Sequence, residues 1–300
     1  MLQVTGCCTA PTMTLLALLL ILAAALFHAT WNLLAKRAGG GLAFTWLFGL
    51  LGVLLYAPLA LTLILTLQPT FGWIELGFIA GSAIIHLGYF LFLQRGYLFG
   101  DLSLVYPLAR GTGPMLATLG AIALFGERPS PVALSGAALV IASVFVMTGG
   151  SAAFWRSARE VKTAFGYGLL TGLFIAAYTL WDAFAVSELL IQPLIYMWLA
   201  ETVRVVLITP FIAGRRDKIA LHWRMHKLEV FGVAVLSPLS YILVLTAFVF
   251  TPVSYVAPAR EISILIGALL GARLLAEGDV RRRLMAAAGM VLGIVALALG

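Results

Sequence analysis

Charge is what this chain has least of: Asp, Glu, Lys and Arg make up 10% of its 300 residues, against about 25% in ordinary soluble domains. With 62% hydrophobic residues and a mean hydropathy of +1.07, its apolar side chains are too many for a water-covered core, so lipid must be the solvent for most of the chain. Cysteine is nearly missing as well. Cys7 and Cys8 are the only two and they are adjacent, which excludes a disulfide framework. Val4-Thr5-Gly6-Cys7 looks like a lipoprotein cleavage box, yet only three residues precede it, too few for the apolar stretch of a signal peptide. Residues 1–12 therefore read as a leader of uncertain status ahead of Met13. HExxH, Gly-x-Ser-x-Gly and paired intramembrane Asp motifs are absent too, which argues against an enzyme. No metal or organic cofactor is implied.

What is present is a series of long apolar runs. Crossing the hydrocarbon core takes roughly 20 apolar residues, and ten such segments are readable: 14–35, 42–66, 73–93, 102–125, 131–149, 164–186, 191–213, 229–250, 254–276 and 284–299. Backbone amides find no partners in lipid, so these segments must be helices. A β-barrel would need period-2 alternation, which the chain lacks. The expected class is an all-α polytopic membrane protein.

The pI near 9.7 and net charge of +7 could suggest nucleic acid, but the basic residues are placed otherwise. Of 19 Lys and Arg, 14 fall near the odd-numbered connections, one (Arg128) in an even one, and four (Arg110, Arg204, Arg260, Arg273) within spans. By the positive-inside rule the odd connections face the cytoplasm, and both short ends lie outside. The most basic connection, Gly214 to Lys227, then meets anionic headgroups rather than nucleic acid. His222 and His226 within it could share a helix face, but no third metal ligand is near.

One ruler fits both halves. Trp31, Arg110 and Glu127 recur as Trp181, Arg260 and Glu277, each offset by 150 residues, as expected of a unit written twice. Residues 13–149 and 164–300 then form two five-span repeats joined by a polar cytoplasmic linker, 150–163. Five is odd, so the second repeat enters the membrane from the opposite side. Inverted repeats of this kind place a substrate site at their interface, near mid-membrane.

The polar residues inside the spans follow the same ruler. His28, Trp31 and Asn32 share one helix face, and Tyr178, Trp181 and Asp182 share its counterpart. Such a stripe either lines a watered cavity, since polar groups facing lipid are costly, or ties helices together with Trp as packing filler. Arg110 and Arg260 follow Pro107 and Pro258, where the backbone ladder is interrupted. An unpaired charge at mid-bilayer costs roughly 2.5–3.5 kcal/mol on insertion scales, so partners must exist, with Asp182, Glu201 and Glu261 the candidates. Arg204 already has Glu201 three residues away. The paired arginines read either as guanidinium recognition of a substrate carboxylate or as a structural clasp. His86 and Tyr89 share a face of the third span, and Tyr241 near Pro238 has the comparable position in the eighth. Gly267 with Gly271 and Gly289 with Gly293 have the spacing of close helix packing or dimerisation faces.

The segments His28-Ala29-Thr30-Trp31-Asn32, Asp101 to Gly111 leading to Phe125-Gly126-Glu127-Arg128, and Pro252 through Arg260-Glu261 to Glu277 together resemble the drug/metabolite transporter superfamily, in particular its EamA-type members. That resemblance implies two tandem five-helix domains and secondary transport, often export of amino acids or related metabolites, from a central cavity. The chain departs from the small multidrug relatives, whose first helix carries a membrane-embedded Glu. Here that helix has His28 and Asn32, and Asp182 in the second half is the nearest carboxylate.

The expectation is a multi-pass carrier of the cell inner or plasma membrane, moving a small polar solute by alternating access. The substrate-binding candidates are His28, Trp31, Asn32, His86, Tyr89, Arg110, Tyr178, Trp181, Asp182, Tyr241 and Arg260. Expected partners are a small-molecule substrate and the bilayer, with proton coupling through Asp182, His28 or His86. The chain is expected to act as a monomer or homodimer. A multidrug efflux pump of the same fold is the alternative.

Overall fold

A computed structural model describes residues 13–99, 102–148, 158–272 and 280–300. The leader, Arg273 and Glu277 lie outside the described residues. Among those described there are helices and connecting turns, and no strand. The helices are α1 (Leu15–Arg37), α2 (Leu42–Leu67), α3 (Trp73–Phe99), α4 (Leu102–Leu124), α5 (Pro131–Thr148), α6 (Ala158–Ser187), α7 (Pro193–Ile212), α8 (Arg216–Met225), α9 (Lys227–Phe248), α10 (Val253–Ala259), α11 (Ile262–Ala272) and α12 (Val280–Leu299). Six of them, α1, α2, α3, α6, α7 and α9, are long and apolar enough to cross a bilayer. That composition marks a membrane protein. Leu54, Leu59, Leu61 and Leu65 of α2 all point outward, a placement suited to acyl chains and unsuited to water.

The helices refine three expectations. The stretch 150–163 is not wholly a linker, because α6 already begins at Ala158; Ala, Arg, Glu and Lys in its first turns are good helix formers and extend the apolar helix outward. The basic connection after α7 contains a helix of its own, α8, with no buried residue. The ninth span is not continuous either. It breaks into α10 and α11 at Arg260-Glu261. There the Glu261 amide donates to the Pro258 carbonyl at 3.0 Å, a bond over three residues that tightens the turn where proline cannot continue the ladder.

Packing contacts fix the relative directions of the helices. On α3, Gly81, Gly88 and Gly96 receive Trp181, Phe174 and Tyr167 of α6 in reverse order, so these helices are antiparallel. Along α4, by contrast, Leu108 meets Gly168, Gly113 meets Ile175 and Gly120 meets Leu180. α4 and α6 are therefore parallel. Helices related by the 150-residue offset, α2 with α7 and α5 with α12, lie side by side and run in opposite senses. Trp46 Nε1 donates to Thr209 Oγ1 at 3.0 Å and Trp198 Nε1 to the Val53 carbonyl at 2.9 Å, tying α2 to α7 near two levels. Between α5 and α12, Gly136 and Gly293 bring backbone against backbone. The Gly289/Gly293 face is thus covered within the chain.

A carboxylate ties the two halves at one end. Gly126, in the left-handed region at φ 68°, makes the turn after α4. The next residue, Glu127, accepts hydrogen bonds from the amides of Val253 at 2.7 Å and Ser254 at 2.9 Å. Those are orphan donors at the start of α10, and an anion there also suits the helix dipole. Glu127→Ala should lower stability by about 1–2 kcal/mol, as for loss of a good N-cap. Thermal unfolding in detergent reads the loss, and Glu127→Asp should recover little if the two-amide geometry is the cause.

Candidate functional site

Asp182 on α6 is fully buried, and a buried carboxylate persists only when hydrogen bonds replace its water. Two phenols do so. Tyr196 Oη of α7 donates to Oδ1 at 2.6 Å, and Tyr241 Oη of α9 donates to Oδ2. From α3, His86 presents Nε2 to Oδ2 at 3.9 Å. Its other ring nitrogen, Nδ1, lies 3.0 Å from the Ser82 carbonyl oxygen. A carbonyl only accepts, so Nδ1 carries a hydrogen. Nε2 is thus the ring nitrogen that faces the carboxylate, and a proton held on it would make the two an ion pair.

Beside this group is a narrow cleft lined by Ser82, His86, Tyr196, Met197, Arg204 and Tyr241, with room for about one water molecule. Arg204 pairs with Glu201 on its own helix, as the spacing suggested. It nevertheless also lines the cleft, a role that its neighbour in sequence concealed.

Tyr178 links this end to the arginines. Its ring stacks on His86 at 4.2 Å between centroids and meets the edges of Tyr89 at 5.8 Å and Tyr241 at 6.3 Å. The Arg260 guanidinium carbon lies 5.8 Å from the same ring centroid, within cation–π range. Arg110 reaches His28 in the matching way, Nη2 to Nε2 at 3.2 Å. Each arginine thus contacts the residue 82 positions before it, one contact in each half. Both arginines are 7% exposed, and between them lies Glu261, fully buried. Its Oε2 is 3.4 Å from Arg110 Nε and its Oε1 4.0 Å from Arg260 Nε. Arg110 Nη2 also approaches Ser263 Oγ at 3.4 Å.

Eight of the eleven candidates thus fall into one connected group: His28, His86, Tyr89, Arg110, Tyr178, Asp182, Tyr241 and Arg260. Three do not line it as expected. Trp181 is packing: its indole donates to the Phe78 carbonyl at 2.8 Å and its ring stacks on Phe78 at 4.3 Å, against Gly81. Asn32 is exposed, and its amide donates to the His28 carbonyl of its own helix at 2.7 Å. Trp31 meets the edge of His28 at 5.0 Å but otherwise packs with Phe44, Val230 and Val233 between α1, α2 and α9. Helical spacing put these side chains on the right arc; neighbouring helices then filled most of that arc with apolar contacts.

Sequence reasoning missed Tyr196 and the place of Arg204 at the cleft, whereas Glu261 was among the expected partners of the arginines. Tyr196 lies in an apolar run without other polar signals. Glu261, adjacent in sequence to Arg260, stands between the two arginines. His222 and His226 have ring centroids 6.1 Å apart on the exposed connection, away from the buried group.

No family model matches the sequence, and no curated protein matches it. In fold, 26 solved chains match. One, described only as "Crystal structure of protein", superposes with a TM-score of 0.76 at 16% identity, over 94% of this chain and 96% of that one. At that identity the likeness speaks for the fold alone: the chain shares its helical architecture, nearly end to end, with a protein whose description carries no activity.

Proposed function

We propose that this chain is a secondary transporter of a small polar metabolite, an amino acid or related solute, and that export is its direction. In this reading it is an EamA-type member of the drug/metabolite superfamily. Ten segments cross the membrane as two inverted five-helix repeats, with α10 and α11 together forming the ninth and α8 lying at the cytoplasmic surface. The opposed directions of α2 and α7, and of α5 and α12, support the inversion. So do the matching contacts Arg110–His28 and Arg260–Tyr178.

The observation that carries the reading is the buried polar group itself. Its side chains come from both halves, on α1, α3, α4, α6, α7, α9 and the broken α10–α11 segment. Buried ionisable residues between membrane helices are costly and mark solute or proton paths, and interrupted helices at a repeat interface are where such carriers hold their cargo. The His86–Asp182 pair supplies a place where one proton can be bound and released.

Purified protein in proteoliposomes, loaded with labelled amino acids and related metabolites, tests this directly. Flux of at least one solute is expected, driven by an imposed pH gradient, and Asp182→Asn should abolish the dependence on that gradient. Absence of flux for every solute sinks the transporter reading. Gradient-driven flux that survives Asp182→Asn unchanged removes the proton role. A buried carboxylate with aromatic neighbours also suits a lipophilic cation. Flux of such cations in place of metabolites would select the multidrug alternative.

A further inference from the structure

Arg260 is 93% removed from solvent, since its exposure is 7%, and two of its nitrogens, Nε and Nη2, have no hydrogen-bond acceptor among the described residues. Guanidinium donors so placed are expensive to leave unused. The nearest anion is unused too. Neither carboxylate oxygen of Glu261 has a hydrogen-bond partner among the described residues, although one lies 3.4 Å from Arg110 and the other 4.0 Å from Arg260. The geometry explains the mismatch. Glu261 follows Arg260 in the chain, at the break between α10 and α11, so its short tether cannot turn the carboxylate into a two-bonded fork with its own neighbour. A carboxylate without a tether can make that fork, which is the strong form of the interaction.

The repeat gives a second line of support. Glu261 corresponds to Gly111 under the 150-residue offset, whereas Arg110 and Arg260 correspond to each other. The duplicated arginines thus enclose one carboxylate supplied by only one half.

We infer that the space between Arg110 and Arg260 is the binding site for the carboxylate of an external solute, and that Glu261 occupies it in the arrangement seen here as a tethered stand-in. The solute class is then amino acids and other carboxylates, with neutral amides and esters excluded. Binding exchanges a poorly aligned internal anion for a well-aligned external one, and Glu261 leaves. This rests on the transporter reading for its biological meaning, but the anion site itself can be tested without transport.

The test uses formate as the smallest carboxylate and formamide as its neutral isostere, with thermal unfolding of the detergent-solubilised full chain as readout. Glu261→Ala vacates the site and leaves two buried guanidiniums facing each other. At about 0.1 M and fixed ionic strength, formate should raise the melting temperature of this variant by several degrees, as a ligand that binds only the folded state does. Wild type, with its site filled, should shift much less, formamide should have no comparable effect, and Arg260→Gln combined with Glu261→Ala should lose the response. Equal effects of formate and formamide, equal effects on wild type, or no effect of formate overturn the inference. If Glu261→Ala yields no folded protein in buffer alone, it is purified with formate or with formamide throughout, and recovery of folded protein with formate only is expected, while recovery with neither or with both overturns the inference. Failure of the two readings is separable: a formate response without any flux in proteoliposomes leaves the anion site and removes the carrier, and flux without a formate response does the reverse.

Discussion

Glu261→Gln should destabilise the protein more than removal of either arginine beside it, by about 3–5 kcal/mol, the range for breaking a buried charge cluster. The reason is a count of charges. Arg110, Arg260 and Glu261 lie together at 7%, 7% and 0% exposure, two positive groups against one negative. Taking away the carboxylate leaves two guanidiniums in low dielectric without the anion that lies between them. Arg260→Gln instead leaves Arg110 with Glu261, a balanced pair already within 3.4 Å. Its cost should be limited to the lost contact with the Tyr178 ring and some packing, about 1–2 kcal/mol. The double variant Arg260→Gln/Glu261→Gln should then be more stable than Glu261→Gln alone. Reversible unfolding in detergent micelles, compared across the three variants, checks the order. If Arg260→Gln proves the most damaging of the three, the cluster is held together by something other than charge balance.

The second large effect is expected where α5 crosses α12. A Cβ on Gly136 would sit 2.6 Å from the Gly293 carbonyl oxygen and 2.8 Å from the Leu297 amide nitrogen, and one on Gly293 would sit 2.7 Å from the Gly136 carbonyl oxygen. Backbone atoms cannot step aside by changing rotamer. Gly293→Val should therefore force the helices apart and cost about 3 kcal/mol, at the upper end of overpacking, with loss of monodisperse protein in size-exclusion chromatography. Gly267→Ala is the control. Its nearest neighbour would be the Ala29 Cβ at 4.0 Å, an ordinary contact, and alanine favours the helix by up to about 1 kcal/mol. The two small-residue seams look alike in sequence, and only one is expected to reject a methyl group.

Much of this was legible because large, chemically distinctive residues recur at the 150-residue offset. Arg110 and Arg260 are hard to mistake in apolar runs, and the helices follow the apolar segments closely. The break at Arg260-Glu261 had a visible cause in Pro258, though the same proline chemistry at Pro107 leaves α4 unbroken. Periodicity could not tell Trp181, sealed against Phe78 and Gly81, from Tyr178, which bridges the two charged groups. Both lie on one arc of α6, and what separates them is which neighbouring helix each meets. Tyr196 carried no signal at all, because its importance comes from Asp182, 14 residues earlier on a different helix. Position in the chain identifies a buried charge; its solvating partners are a property of the packing.

The crossing of Gly136 and Gly293 carries one more implication. Glycines elsewhere also approach a neighbouring main chain, where a Cβ on Gly52, Gly168 or Gly172 would lie 3.2–3.3 Å from a backbone atom, but at Gly136 and Gly293 the same distance falls to 2.6–2.7 Å. At this tightest crossing, sliding or separation would be felt at once while turning on the spot would not. In the proposed carrier, a tilt of one half against the other is then easiest about this point, and the helices furthest from it would travel the most.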